Sequence, residues 1–333
     1  MDTRINHKNP ADTTLDFELL HEFEHGLDPL DPENSAIPCR ILGFGEISTV
    51  FEIQVDACRG YAFKRMSVFE TQSELDQYLE NYLEYNRLLE EEIPIRLPSH
   101  GYACLPGPGG RPIFYIIQKK LASNSIGSQA IHLLSDDDSL RLFQLVLAEL
   151  NKLWSFNNRE DRIQVAIDGQ ISNWAIHGFD FNKGGIDMNS TLLYLDTSTP
   201  LFQVDGVEQL DPELFLRSGP SFMAWIIRRF FLDDVMTRYY DPRKIIVDLI
   251  GNLYKEGKPE LIPDMIAAAN NFIDSEAELS DLEPILESEI QAYYREDSVI
   301  WTLYAAMRRM DRVLHQYILR KDYPYILPGK VKR

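Results

Sequence analysis

The chain has 333 residues, of which 44% are apolar and 11% aromatic, so it can fill a sizeable core and cannot be wholly disordered. Its 33 Lys and Arg residues against 52 Asp and Glu residues give a formal net charge of −19, which argues against nucleic acids and anionic membrane surfaces as partners. Its 3 cysteines include no Cys-x-x-Cys pair, so neither a disulfide framework nor a structural zinc site is suggested. No apolar run approaches the roughly 18 residues that span a bilayer, and the first residues lack the apolar stretch of a signal peptide. We therefore expect a cytoplasmic protein.

Short elements are predicted in the first part of the chain. The hydrophobic pattern predicts a helix over residues 14–25, followed by a loop that contains three prolines. The sequence pattern of residues 39–69 predicts three short strands separated by turn residues. Residues 71–92 have helical spacing, and two further strands flank the glycine- and proline-rich connection at residues 106–112. Between residues 39 and 120 the pattern therefore predicts about five strands, with one helix after the third strand.

The second part of the chain is predicted to be mostly helical. A strong helix is predicted over residues 138–156, where apolar residues recur at intervals of three and four. Short strands are predicted at 163–167, 173–179 and 191–196. Beyond residue 210 the helical pattern continues almost to the end, at residues 224–240, 244–254, 260–273 and 299–319. A small antiparallel sheet with one helix, followed by a larger helical part, is an α+β arrangement.

Two glycines mark the predicted turn between the first two strands of the 39–69 segment. Gly43 and Gly45 lie in the sequence ILGFGEISTVFEI. Glycine at this turn would let backbone amides approach a polyphosphate without interference from a Cβ atom. An ordinary hairpin turn explains the same pair, so the glycines alone do not indicate a ligand.

A lysine on the third predicted strand requires an explanation. Lys64 lies in the apolar segment YAFKRM, where a charge among core side chains is costly unless it is paired. We expect a partner carboxylate from the helix at 71–92, with Glu84 preferred and Glu80 as the second choice. The adjacent Arg65 is expected to point outward, because successive side chains of a strand face opposite sides of the sheet.

The sharpest signal is the sequence IDGQISNWAI, in which Asp168 and Asn173 have the spacing D-x-x-x-x-N. The spacing occurs by chance, but here it follows a predicted long helix and a short strand. Asp196 comes next, at the end of the apolar strand TLLYLD. If these side chains converge, like-charge repulsion is expected to raise the pKa of at least one carboxyl group.

In this order, the residues resemble the motifs of the protein-kinase-like superfamily. The glycine pair resembles the glycine-rich loop GxGxxGxV, with Ser48 in the place of the third glycine and Val50 in the place of the valine over the adenine. Lys64 resembles the third-strand lysine that contacts the α- and β-phosphates. The D-x-x-x-x-N segment resembles the catalytic loop, and Asp196, in Asp-Thr-Ser, resembles the metal-binding aspartate of Asp-Phe-Gly.

The resemblance implies a two-lobed, protein-kinase-like α+β fold that binds ATP and Mg²⁺. It implies an N-terminal extension at residues 1–38 with an amphipathic helix, a nucleotide-binding lobe at 39–120, and a lobe at 121–333 with the catalytic loop and a helical acceptor region. Asp168 would orient the acceptor hydroxyl. The remaining implied contacts are Asn173 and Asp196 to the metal, and Gly43, Gly45, Ser48, Val50, Lys64 and Glu84 around the nucleotide.

The departures from the family pattern affect the predicted activity. Ala166 and Ile167 occupy the places of the His and Arg that precede the catalytic aspartate, and Gln170 stands where protein kinases have a lysine near the γ-phosphate. The Ala-Pro-Glu that anchors a peptide-docking segment is absent. These features favour a branch similar to choline kinases or aminoglycoside phosphotransferases, with a small-molecule hydroxyl as acceptor. They leave open an inactive pseudokinase or a nucleotide-binding scaffold.

A second motif points to different chemistry. Residues 21–25, His-Glu-Phe-Glu-His, match HExxH, in which two histidines bind zinc and the glutamate acts as a base. Gly26 ends the helix directly afterwards, and Phe23 lies on the apolar face with Leu19. We therefore interpret the segment as an amphipathic packing helix, with a zinc peptidase as a distant alternative.

Overall fold

A six-stranded antiparallel sheet occupies the first part of the computed structural model, which describes residues 6–8, 10, 15–45, 47–180, 185–217, 237–315 and 325–327. The strand order is β1-β5-β6-β4-β3-β2, and every neighbouring pair is antiparallel. The five predicted strands are confirmed, and β1 is an addition that the pattern did not predict. The strands are β1 (Asn6–Lys8), β2 (Cys39–Phe44), β3 (Ser48–Ile53), β4 (Tyr61–Met66), β5 (His100–Pro106) and β6 (Pro112–Lys119).

One helix packs against each face of this sheet. Helix α1 (Phe17–Gly26) begins at Asp16, whose side chain accepts hydrogen bonds from two backbone amides of the first turn. Helix α2 (Gln72–Arg87) begins with a capping box and continues into a π-helical turn, Leu88–Glu92. Both predicted helices are confirmed. Because helices cover both faces, β4 and β6 are buried on both sides, and their side chains pack in two separate apolar clusters.

The prediction that Arg65 points to solvent is wrong. Its side chain is 3% exposed and that of Glu24, on α1, is fully buried. Two guanidinium nitrogens of Arg65 donate to the two oxygens of Glu24 at 2.7 Å, and the Tyr115 hydroxyl donates to Glu24 at 2.6 Å. The face of β4 opposite Lys64 is covered by α1, so an outward side chain there meets a buried carboxylate instead of water.

The second part of the chain is mainly helical, with two small antiparallel sheets. One sheet joins β7, β10 and β11, and the other joins β8 and β9. The predicted α+β class is confirmed. Most of the helix predicted at 224–240 lies outside the described residues. The elements are α3 (Gly127–Ala130), α4 (Asp136–Arg159), β7 (Ile163–Val165), β8 (Trp174–Ile176), β9 (Leu192–Tyr194), β10 (Phe202–Val204), β11 (Val207–Glu208), α5 (Glu213–Leu216), α6 (Pro242–Lys255), α7 (Ile262–Ser275) and α8 (Glu287–Val313).

The two parts share an apolar core. The cluster beneath α2 includes Phe114 from the sheet and Ala166 and Leu201 from the loops of the second part. A larger cluster surrounds α4 and includes Tyr85 from α2. Within the described ranges, no helix combines the length and the hydropathy that a bilayer crossing requires. The seam between sheet and helical region is therefore where side chains of both parts meet.

Candidate functional site

The sheet brings several of the predicted residues to one face. Gly43 pairs with Val50, and Val50 pairs with Lys64, on three adjacent strands. Directly paired residues of neighbouring strands point to the same side of a sheet, so these positions form one row. A Cβ atom at Gly43 would have no atom within 4 Å. The space directly over Gly43 is therefore open.

The loop between β2 and β3 is tightly closed. The Gly45 amide donates to the Ser48 carbonyl oxygen at 3.0 Å. A Cβ atom at Gly45 would lie 2.6 Å from the Ser48 hydroxyl oxygen, and Ser48 is 6% exposed. A side chain at position 45 would thus displace that hydroxyl. Residue 46 lies outside the described residues, and nucleotide contacts of this loop remain a prediction.

Lys64 is paired, but not with the predicted partner. Its Nζ donates to Asp196 Oδ1 at 2.7 Å and to the Ser198 hydroxyl at 3.2 Å. The predicted pairing with Glu84, or with Glu80, is wrong. Glu84 binds Arg87 through two 2.9 Å hydrogen bonds, and Glu80 is exposed.

The rotation of α2 explains the error. Tyr78, Tyr82 and Tyr85 recur at intervals of four and three and are among the buried side chains of α2. Glu80 and Glu84 point about 200° and about 240° around the helix from Tyr78, so both lie away from the buried stripe and reach solvent. The periodic pattern already contained this information, because a helix with a buried aromatic face carries its charges on the opposite face.

Asp196 lies in a short loop that fixes one of its oxygens. Ser198 donates to Oδ1 through its amide at 3.2 Å and through its hydroxyl at 2.6 Å. Burial on its own would raise the pKa of Asp196, but the charge of Lys64 and the hydrogen bonds from Lys64 and Ser198 outweigh it and lower the pKa. The cationic partner therefore lowers the pKa of Asp196, and a raised pKa for at least one of the converging carboxyl groups stays a prediction.

The loop of Asp168 and Asn173 lies beside the Asp196 loop. The Asn173 side chain donates to the Asp168 carbonyl oxygen at 3.2 Å, and the Asn173 carbonyl accepts from the Leu195 amide at 2.8 Å. Burial raises the pKa of Tyr85, and the charges of Asp196 and Asp168 raise it further. The hydrogen bond from the Leu195 amide to the Asn173 carbonyl oxygen thus joins the two acid-bearing loops.

Two tyrosines that the sequence did not single out hold both loops. The Tyr78 hydroxyl donates to the Ser198 carbonyl oxygen at 2.8 Å, and the Tyr85 hydroxyl donates to the Ala166 carbonyl oxygen at 2.8 Å. Both rings are nearly fully buried. Their helical spacing was visible in the sequence, but it also fits an ordinary core stripe. Helix α2 thus contacts the acid-bearing loops through phenols, where the resemblance implied a carboxylate.

Tyr78→Phe is expected to reduce the free energy of unfolding by about 1–3 kcal/mol, because it leaves the buried Ser198 carbonyl without its donor. Glu84→Gln, on the exposed face of the same helix, is expected to change it by less than about 0.5 kcal/mol. Urea unfolding of both variants tests the two values. Equal destabilisation by the two substitutions would contradict the assignment of the inward face of α2.

Two oxygens at the site remain available to a cation. Asp196 uses Oδ1 for its hydrogen bonds, and Asn173 uses its amide nitrogen, so Asp196 Oδ2 and Asn173 Oδ1 accept no hydrogen bond among the described residues. Carboxylate and amide oxygens suit Mg²⁺, which keeps several waters and is often completed by substrate phosphates. The donor set therefore fits a magnesium ion delivered with a polyphosphate.

The HExxH segment is part of a packing helix. Phe23 is fully buried and contacts Phe51, with ring centroids 5.7 Å apart. Glu22 and His25 are exposed, and no group of three or more His, Cys, Asp or Glu suited to a metal occurs in the described part of the chain. The interpretation as an amphipathic packing helix is confirmed.

The order of elements agrees with the order predicted for a two-lobed, kinase-like fold: three strands, a helix and two strands, followed by a long helix and two polar loops. Residues 38–312 match the model of a family described as "Family of unknown function (DUF6206)", and the chain belongs to this family. Comparison with curated proteins found no match.

Several solved structures are similar to this chain, among them the following two. The structure "WaaP in complex with acyl carrier protein" is 15% identical, with 79% of this chain and 99% of that chain covered and a TM-score of 0.32. The AMP-PNP complex of the maize SIRK1 (sucrose-induced receptor kinase 1) kinase domain is 13% identical, with 80% and 100% covered and a TM-score of 0.34. These values are too low to support an inference about activity.

Proposed function

We propose that the protein is an ATP- and magnesium-dependent phosphotransferase that acts on a hydroxyl group of a small molecule. The main support for the proposal is the ion pair between Lys64, on the sheet, and Asp196, in the helical region, in which Nζ lies 2.7 Å from Oδ1. Lys64 comes from the sheet and the partly buried Asp196 from the helical region, beside the loop that contains Asp168. A lysine in this place suits the phosphates of a bound nucleotide, and the aspartate suits its metal ion.

Each residue has a distinct part in the proposed reaction. Lys64 would contact the α- and β-phosphates, and Asp196 and Asn173 would hold Mg²⁺, which supplies charge neutralisation of the phosphates when bound. The row of Gly43 and Val50 would lie over the nucleotide, with Gly45 and Ser48 closing the loop. Asp168, whose Oδ1 accepts a hydrogen bond from the Gln170 amide at 3.1 Å, would orient the acceptor hydroxyl and take its proton.

A small-molecule acceptor is favoured by the surroundings of Asp168. Ala166 and Ile167 are buried apolar residues, so no cation precedes Asp168 to pair with a phosphorylated segment. The hydrogen bond from Tyr85 to the Ala166 carbonyl fixes this part of the loop instead. Because internal hydrogen bonds already hold this loop in place, it does not depend on a phosphorylated peptide segment to become ordered.

Nucleotide binding without turnover is the second candidate. It is favoured by the ion pair itself, because Lys64 neutralises Asp196. A metal must compete with that ammonium for the carboxylate. The two candidates share the same residues and differ in whether ATP is consumed.

Isothermal titration is expected to show binding of Mg·ATP by the wild-type protein and affinity that is about 10–100-fold lower in Lys64→Met, because a charged hydrogen-bond donor to the phosphates is lost. Asp196→Asn is expected to remove the part of the affinity that depends on MgCl₂. Lys119→Met, an exposed lysine on β6, serves as the matched control and should bind as wild type.

Titration with ATP and measurement of ATP consumption distinguish the phosphotransferase, the pseudokinase and the zinc peptidase. Binding with release of phosphate supports the phosphotransferase, and binding without consumption of ATP in the presence of any hydroxyl acceptor supports the pseudokinase. No response to ATP in either MgCl₂ or EDTA would contradict both. Stoichiometric bound zinc together with that result would favour the peptidase alternative.

A further inference from the structure

A lysine from α6 reaches the loop that contains Asp168. Lys255 is the last residue of α6, and its Nζ lies 3.4 Å from Gln170 Oε1. Gln170 is two residues from Asp168, and its amide donates to the Asp168 carboxylate. The ammonium group of Lys255 therefore contacts a residue of the Asp168 loop, although Lys255 and Gln170 are 85 positions apart in the sequence.

Packing of α6 against the loop fixes this approach. A Cβ atom at Gly169 would lie 2.7 Å from Ile245 Cγ2 of α6. Glycine at this position thus allows the loop to lie directly on the helix. Because Ile245 is buried and α6 is a regular helix of 14 residues, this packing fixes the backbone of α6 against the Asp168 loop.

The ammonium group of Lys255 forms no salt bridge with the described residues. No carboxylate among the described residues lies within 4.0 Å of its ammonium group, and its side chain is exposed. Burial raises the pKa of Asp248 and of Glu256, and Lys255 lowers both from a distance. A cation that is held by a neutral amide keeps its charge available for a ligand.

We propose that Lys255 binds the oxygens of the phosphoryl group during transfer, and this inference rests on the proposed phosphotransferase function. In the reaction, the bond between the γ-phosphorus and the ADP oxygen breaks and a bond to the acceptor oxygen forms. The acceptor proton passes to Asp168. Negative charge is spread over the oxygens of the moving group, and a fixed cation at that point lowers the barrier. Gln170 carries no charge and cannot supply it; it positions Lys255.

Aluminium fluoride, a mimic of the transferring phosphoryl group, tests the proposal. In the wild type, it is expected to tighten Mg·ADP binding, measured by isothermal titration. Lys255→Met should lose this gain, with the affinity for Mg·ADP alone unchanged, and should release phosphate from ATP about 10²–10³-fold more slowly. Lys258→Met is the matched control, because Lys258 lies just beyond α6 and pairs with Glu260 at 3.5 Å.

A charge-relocating variant separates electrostatics from packing. Gln170→Lys/Lys255→Met returns an ammonium group to the loop and is expected to recover part of the aluminium fluoride gain. An unchanged gain in Lys255→Met, or no gain in the wild type despite Mg·ADP binding, would overturn the role of Lys255 and leave nucleotide binding intact. Absence of any Mg·ADP binding in the wild type would overturn the proposed function and this inference with it. Equal urea midpoints verify that the variants are folded.

Discussion

Asp168→Asn is expected to lower the rate of ATP consumption by about 10²–10⁴-fold, because an amide cannot accept the proton of the acceptor hydroxyl. The affinity for Mg·ATP is expected to stay nearly constant, since Lys64, Asn173 and Asp196 are unchanged. Asparagine retains an oxygen for the hydrogen bond from the Gln170 amide, so the loop should keep its geometry. Phosphate release, with water as the acceptor, and isothermal titration with Mg·ATP measure the two quantities.

A distant acid provides the control for this prediction. Asp161 is exposed in the turn before β7, and Asp161→Asn is expected to leave both quantities unchanged. Undiminished ATP consumption in Asp168→Asn would remove Asp168 from the mechanism. A large loss of Mg·ATP affinity in the same variant would instead assign Asp168 to the metal site.

Glu24→Ala is expected to lower the free energy of unfolding by about 3–5 kcal/mol, because it leaves the guanidinium of Arg65 buried without its partner. The Tyr115 hydroxyl loses its acceptor in the same step, so a second buried polar group is left without its hydrogen bond. Equilibrium unfolding in urea, with circular dichroism as the readout, measures the change. Arg65 neighbours Lys64 on β4, so a destabilised variant should also bind Mg·ATP less tightly near its unfolding midpoint.

The double variant Glu24→Leu/Arg65→Met separates an unpaired charge from lost packing. Replacing both partners of a buried pair with apolar residues of similar volume is often neutral or stabilising. The Tyr115 hydroxyl still lacks its acceptor, so the double variant is expected to recover most, but not all, of the stability lost in Glu24→Ala. Its comparison with Glu24→Ala forms the test. If the double variant were as unstable as Glu24→Ala, the pair itself would contribute strongly and the unpaired-charge explanation would be wrong.

The order of secondary structure could be predicted from the sequence, because it depends on local patterns. The helix predicted at 71–92 and the long helix at 138–156 follow apolar residues at intervals of three and four, and both are present. The three strands of 39–69 follow from turn residues between apolar segments. The motif spacing also indicated that Lys64, Asp168 and Asp196 belong to one site, since each lies on the kind of element that the superfamily pattern requires.

Partners across the chain could not be predicted, because each depends on how elements rotate and pack. A sequence pattern places Glu84 on α2, but the rotation of α2 against the sheet decides that tyrosines face inward and that Lys64 binds Asp196 instead. The alternation of β4 predicts opposite faces for Lys64 and Arg65, and only the position of α1 decides that both faces are buried.

The sequence by itself therefore determined the class of fold, the order of its elements and the residue types of the candidate site, because these follow from periodicity and local spacing. Tertiary structure alone decided which charges meet. Lys64 pairs with Asp196, Arg65 with Glu24, and Lys255 reaches Gln170, at sequence separations of 132, 41 and 85 residues. The physical reason is that an ionic contact depends on distances of a few ångströms between side chains, which packing of whole elements sets and local sequence does not encode.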